Sequence, residues 1–192
     1  MSTSLPAGRV HLAHVRLAFP KLWTAEQVNG QGKPKFSAAF LLAPGHATLR
    51  ELEAGITRVA AAKWGKDAAA TVKALKLGDK LPIHNGDAKP TLQGYAGNFY
   101  LNASSETRPR IVDRDGKTPI AEEDNKLDAG DFVNAGIDVW AQDHPQHGKR
   151  INAALVWVQF VKTGDRFRAS TSVIEGEIDD LGVGEDYDEL AF

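Results

Sequence analysis

Residues 97–112, Gly-Asn-Phe-Tyr-Leu-Asn-Ala-Ser-Ser-Glu-Thr-Arg-Pro-Arg-Ile-Val, combine side chains that could hold a flexible polyanion. In a β-strand successive side chains alternate faces, so Phe99, Leu101 and Ala103 would face a core and Asn98, Tyr100 and Asn102 solvent. The wet face then offers a ring between two amides, and Arg108 and Arg110 follow on the return of the turn. Rings stack on unpaired bases and guanidinium groups neutralise phosphates, which suits single-stranded nucleic acid. The same residues also fit a plainer reading, a half-exposed strand tyrosine with solubilising arginines.

Residue sets that would carry catalysis are missing. There is no cysteine, no Gly-x-Ser-x-Gly elbow, no Walker lysine loop and no metalloprotease helix. Asp113 and Asp115 begin like a calcium loop, but glycine is not at its sixth position and no glutamate closes a twelfth. His144 and His147 lack a suitably spaced carboxylate for a metal set, and His11, His14, His46 and His84 are scattered. No enzyme, metal or cofactor is therefore expected. The remaining enzymatic alternative is an Mg²⁺-dependent nuclease with carboxylates drawn from distant strands.

The chain has 192 residues, enough for one domain plus an appendage without disulfides or metal. No secretory signal and no run of eighteen apolar residues is present, so a soluble, cytoplasmic protein with no membrane partner is expected. Charge is unevenly divided. Residues 175–192 hold eight acids and no lysine or arginine, so against 23 basic and 25 acidic residues overall the body carries a net +6. An acidic tail would compete with a polyanion for a basic surface. Its ending, Tyr-Asp-Glu-Leu-Ala-Phe, puts apolar groups at the tip, and such ends usually dock on a partner. An alternative follows, a protein-interaction module whose tail mimics DNA.

The elements that must position these residues are mainly strands. Val10 and Leu12 share one phase and Val15, Leu17 and Phe19 the other, which predicts a bulge near Ala13 in a strand ended by Pro20. Bulged long strands suit a small barrel. Residues 21–34, with Trp23, Asn29-Gly30 and Lys33, read as a loop. Lys35 opens a second strand running to Ala43. Helical spacing from Leu49, with Thr48 and Glu51 as a capping box, predicts a helix to about Gly65, and a weaker one follows over residues 67–77. Residues 131–141 form another strand on which Phe132, Asn134 and Trp140 point outward, so either the register is shifted or the outer face is aromatic. Residues 151–162, apolar on both faces, are a central strand, and residues 166–174 a short last one.

Several ordered blocks resemble a known family. Val15-Arg16-Leu17-Ala18-Phe19-Pro20-Lys21-Leu22, Gly32-Lys33-Pro34-Lys35-Phe36-Ser37-Ala38, Ala62-Lys63-Trp64-Gly65, Tyr95-Ala96-Gly97, Arg108-Pro109-Arg110-Ile111-Val112-Asp113 and Val158-Gln159-Phe160-Val161-Lys162 are similar to bacteriophage single-stranded DNA-binding proteins long catalogued as a domain of unknown function. The resemblance implies an OB-fold five-stranded barrel, α+β by its inserted helices, over residues 9–174. A helical insertion at about 46–77 interrupts it, and a flexible N-terminus (1–8) and a disordered acidic tail (175–192) flank it. It implies non-catalytic coating of single strands during phage DNA replication or recombination in the host cytoplasm, with self-association left open. Phosphate contacts would come from Lys21, Lys33, Lys35, Arg108, Arg110, Lys149 and Arg150, and base contacts from Trp23, Tyr95, Tyr100 and Asn102. Asp186, Asp188, Glu189 and Phe192 of the tail would engage phage or host replication and recombination proteins. One departure is Lys149-Arg150-Ile151-Asn152, where that family has a glycine-rich approach to the apolar strand.

Overall fold

The strand β1 (Arg9–Val28) pairs antiparallel with β6 (Phe132–His144) along its first half and with β2 (Gln31–Leu42) along its second. A strand shared by two halves of a sheet has to bend. The computed structural model, which describes residues 6–28 and 31–167, shows how. Register against β6 slips between Leu12 and Val15, and His14 sits at φ 54°. The bulge frees two backbone donors, and both are caught: Ala13 N–H donates to Thr48 Oγ1 at 3.3 Å and His14 N–H to Asn134 Oδ1 at 2.8 Å. Thr48 is buried. Its hydroxyl is thereby taken from the expected capping box, and the N-cap of α1 (Thr48–Trp64) is Ala47 with no side-chain cap bond.

A second slip against β2 lies between Ala18 and Lys21, where Phe19 adopts φ 45° ahead of Pro20. Pro20 does not end the strand, because proline is tolerated at a bulge where the ladder asks no hydrogen bond of it. The chain continues in β1 and returns in β2, pairing Lys21 with Ser37, Glu26 with Lys35 and Val28 with Gln31. Residues 21–28 and 31–34, expected as part of a loop, are therefore paired strands that form an arm.

The remaining strands are β3 (Ile83–Asn85), β4 (Phe99–Ser105), β5 (Arg110–Val112) and β7 (Gly148–Lys162). The sheet runs β3-β4-β2-β1-β6-β7-β5, seven strands where five were expected, because the short β3 and β5 extend its edges. All pairings are antiparallel except β5 with β7. The class is α+β, as the sequence indicated. Curling brings β4 against β7, yet these two do not pair. The connecting segment 80–82 lies between them: Asn102 N–H donates to the Pro82 carbonyl at 3.2 Å and Ile151 N–H to the Lys80 carbonyl at 3.1 Å. The sheet thus does not close into the expected barrel, and backbone bonds to a connection stitch β4 and β7 together in place of a strand ladder.

The inner face is a continuous apolar core including Leu12, Leu17, Phe40, Leu101, Ile137 and Val158. Helix α1 seals one end with Leu52, Ile56 and Ala60, and α2 (Ala68–Leu77) packs on α1. Close approach is needed there, since a Cβ on Gly55 would lie 2.7 Å from Val10 Cγ2. Residues 163–167 are irregular, and the rest of the expected last strand and the acidic tail lie outside the described residues, as do residues 1–5. The aromatic outer face of β6 is real, with Trp140 exposed and Phe132 half-buried.

Asp115 closes a turn. Its carboxylate accepts from Lys117 N–H and Thr118 N–H at 2.9 Å and from Thr118 Oγ1 at 2.6 Å, which holds its pKa down to about 2. A carboxylate with a lowered folded pKa stabilises the turn above the ordinary value and loses that effect as pH falls through the folded one. Carboxyl-carbon NMR should therefore give Asp115 a midpoint near 2, with the 113–118 turn unchanged between pH 7 and about 4. Replacing Thr48 by valine keeps its shape and orphans the Ala13 donor, so urea unfolding should report a loss of about 1–3 kcal/mol.

Candidate nucleic-acid interface

An open cleft of about 480 Å³ lies where β4 and β7 diverge beside the stitching segment. Its floor is the outer side of β2 and β4, with Ser37 opposite Ser104 and Ala39 opposite Asn102. One wall carries Lys80 and, from β7, Arg150 and Asn152; the other carries His84, Lys89 and Tyr95. Phe19 stands at the rim, 54% exposed. The arm adds Lys21, opposite Ser37 in the ladder, then Lys35 and Lys33 further out.

The kink in β1 explains the ring at the rim. Simple alternation places Phe19 with Val15 and Leu17 in the core, but the positive φ and the slipped register turn it outward. A left-handed backbone is strained for a bulky aromatic residue and persists where surrounding structure imposes it. Here Ala18 is fully buried on one side and Pro20 fixes the other.

The two tyrosines expected to stack on bases are not open to solvent. Tyr95 is 2% and Tyr100 5% exposed. Tyr100 does point away from the main core, as alternation requires, but it is covered. It packs with Ala18, Ala39, Leu41 and Tyr95, and Leu92 and Phe167 lie over that cluster. Its ring is 4.9 Å from Tyr95, stacks on His84 at 5.0 Å and lies under Lys89 Nζ at 4.7 Å. Burial, then the proximity of Tyr100, pushes the Tyr95 phenol up to about 12, so it stays neutral and serves packing. His84 is fixed by Asp79, whose Oδ1 is 2.6 Å from Nδ1.

The other sequence candidates divide. Asn102 is exposed on the cleft floor and Arg150 on its wall. Lys21 pairs with Glu26 at 2.9 Å and Lys33 with Glu106 at 3.2 Å. Such exposed pairs are weak and readily exchange a carboxylate for a phosphate. Trp23 is half-buried against the core beneath the Arg108 guanidinium, 5.3 Å from its ring centre. Lys149 lies over Trp64 at 5.6 Å. Arg110 is not at the cleft: it sits on β5, opposite Trp157 of β7. Phe19, Lys80 and Lys89 were missed. The Phe19-Pro20 step inside an otherwise regular strand was the available signal for the first; the two lysines lie in connections whose path alternation does not give. As a whole the cleft can neutralise phosphates along its walls and offer a ring and amides to bases.

Comparison with known proteins follows the same line. The family model described as Enterobacter phage Enc34, ssDNA-binding protein, matches residues 8–189. Protein p50 of Acyrthosiphon pisum secondary endosymbiont phage 1 is 37% identical over 186 residues, which is 95% of this chain and 99% of p50. The solved structure of the bacteriophage Enc34 single-stranded DNA-binding protein in complex with ssDNA has a TM-score of 0.71 and 24% identity, covering 84% of this chain and 90% of that one. That of gp2.5, a single-stranded DNA-binding protein of bacteriophage T7, has a TM-score of 0.53 and 13% identity, covering 93% and 98%. At these identities the two structures show a shared fold.

Proposed function

This chain belongs to the family of the Enterobacter phage Enc34 single-stranded DNA-binding protein, and from that premise we propose that it binds single-stranded DNA, without sequence preference, in the cleft between β4 and β7. Its family is one of binding proteins, not enzymes. The observation that carries the assignment of the cleft is the joining of Lys80, Lys89 and Arg150 with the outward Phe19 over a floor of Ser37, Asn102 and Ser104. OB-type barrels bind single strands on this face, between the loops that join their first and last strand pairs. The arm between β1 and β2 and the turn between β6 and β7 are those connections, which gives Lys21, Lys33, Lys35, Lys149 and Arg150 their part. Cations release counterions from the strand, and the ring stacks on a base without reading it.

The domain organisation follows from the same reading: residues 9–174 act as the binding domain, with the helices inserted in it and residues 175–192 as a detachable tail. We assign the protein to phage DNA replication or recombination in the host cytoplasm, coating strands as they are exposed. The tail, with Asp186, Asp188, Glu189 and Phe192, recruits replication proteins and competes with DNA for the basic cleft. No helix among the described residues is long and apolar enough to cross a membrane.

Fluorescence anisotropy with labelled oligothymidylate tests the cleft. Phe19→Ala should weaken binding by about 1–3 kcal/mol, while Tyr100→Phe leaves affinity unchanged. The triple alanine variant at Lys80, Lys89 and Arg150 should flatten the dependence of log affinity on log salt by about 0.7 per contact removed. Unaltered binding in both variants would place the DNA elsewhere. Deletion of residues 175–192 should tighten binding at low salt and abolish capture of partner proteins, and equal affinity for the truncated and full chains would rule out competition by the tail.

A further inference from the structure

A second group of basic and aromatic side chains lies on the outer face of the other half of the sheet. There, one row crosses four strands in register: Arg110 of β5 opposite Trp157 of β7, Trp157 opposite Gly136 of β6, and Gly136 opposite His11 of β1. The indole packs against Gly136, where a Cβ would come within 2.0 Å of Nε1. His11, exposed, has its ring 5.3 Å from Trp157. Trp157 is half-buried beside Val158, which faces the core, so its own face is the outer one. Next along the sheet, Asn134 Nδ2 donates to Gln159 Oε1, and beyond it Lys162 Nζ and the Arg16 guanidinium lie 4.7 and 5.5 Å from the Phe132 ring centre. Asp138 on this face is taken by Arg9 through two hydrogen bonds, and in the 113–118 turn that lies against Gln159, Asp113 is paired with Lys126 and Asp115 is bonded within the turn. Among the described residues Arg110 and Lys162 have no carboxylate within ion-pair distance.

We propose that this face is a second contact surface for single-stranded nucleic acid, on which Trp157 stacks one base and Arg110 and Lys162 hold phosphates. A partly exposed indole backed by glycine offers a ring for stacking, and the unpaired charges beside it are cationic, a combination that fits an unpaired strand. Continuity with the cleft supports it. β7 carries Arg150 and Asn152 at the cleft and Trp157 five residues beyond Asn152, about 17 Å along the same strand. A strand leaving the cleft can follow β7 to this platform, so that one molecule engages a longer stretch of DNA than the cleft alone. The surface rests on the function proposed above, but the two fail differently.

The full-length protein and its Trp157→Ala, Trp157→Phe and Arg110→Ala variants should be titrated with oligothymidylates of about 5 and about 20 nucleotides, one near the short end of OB-fold site sizes and one beyond their long end. Trp157→Ala should leave the short oligonucleotide unaffected and weaken the long one about five- to a hundredfold, with a smaller occluded site; Trp157→Phe should restore most of that loss. An iodouracil-substituted 20-mer should photo-crosslink to Trp157. If length dependence and crosslink are both absent while the short oligonucleotide still binds, the second surface is wrong and the cleft stands. Equal weakening of both lengths would also overturn it, by making Trp157 part of a single site or of the fold. A change in sedimentation of the DNA-free protein without any change in long-strand binding would reassign the face to contact between copies. If the wild-type chain bound neither length, the cleft would fall first.

Discussion

The structure depends on one strand having to serve two neighbours. β1 must lie beside β6 and then beside β2, and two breaks in its ladder, at His14 and Phe19, supply the bend. Each break has a cost in unpaired donors or strained backbone. The first is offset by Thr48 and Asn134, side chains from a helix and a neighbouring strand that accept the freed N–H groups. That joins the seating of α1 to the curvature of the sheet, for Thr48 belongs to both. The second break is the one that turns Phe19 from the core to the rim of the cleft. Curvature and the exposure of this ring thus share a cause.

The curl leaves a seam between β4 and β7, and the way it is filled sets the site. The segment 80–82 crosses it, bonded to Asn102 on one side and Ile151 on the other. Placed there, Lys80 lines the cleft together with Asn102 of its floor and Asn152 of its wall. A fully paired seam would bury these polar groups in a ladder. An open seam would expose the core, since Ile151, Leu101 and Ala103 lie directly behind it. Stitching by a connection covers the core while leaving a polar groove outside.

The tyrosines show how packing reassigns a side chain whose phase is known. Alternation in β4 correctly separates Tyr100 from Leu101 and Ala103. It carries no information on what lies above that outer face. Residues 86–98 fold over it because glycines let the backbone come close: a Cβ on Gly86 would meet the Tyr95 carbonyl at 2.0 Å, and one on Gly94 the Phe167 ring at 2.6 Å. The covered tyrosines then support the cleft from behind, and the exposed ring comes from a residue that periodicity had put in the core. The same separation of phase from surroundings splits Arg108 and Arg110, two residues apart, between the vicinity of Trp23 and that of Trp157.

By itself the sequence determined what depends on neighbours along the chain: both helices and most of the longer strands, the bulge near Ala13, the absence of thiol chemistry, the basic body and acidic end, and through its ordered blocks the family. Those properties follow from side-chain period, turn residues and charge, all of which are local. The tertiary structure decided which rings are covered, how β4 meets β7, that residues 21–28 pair with 31–37, and which cations share a surface. Each of these turns on contacts between segments far apart in the chain. A one-residue slip in β1, invisible to the period of its flanking residues, was enough to exchange the inside of the molecule for the outside at Phe19.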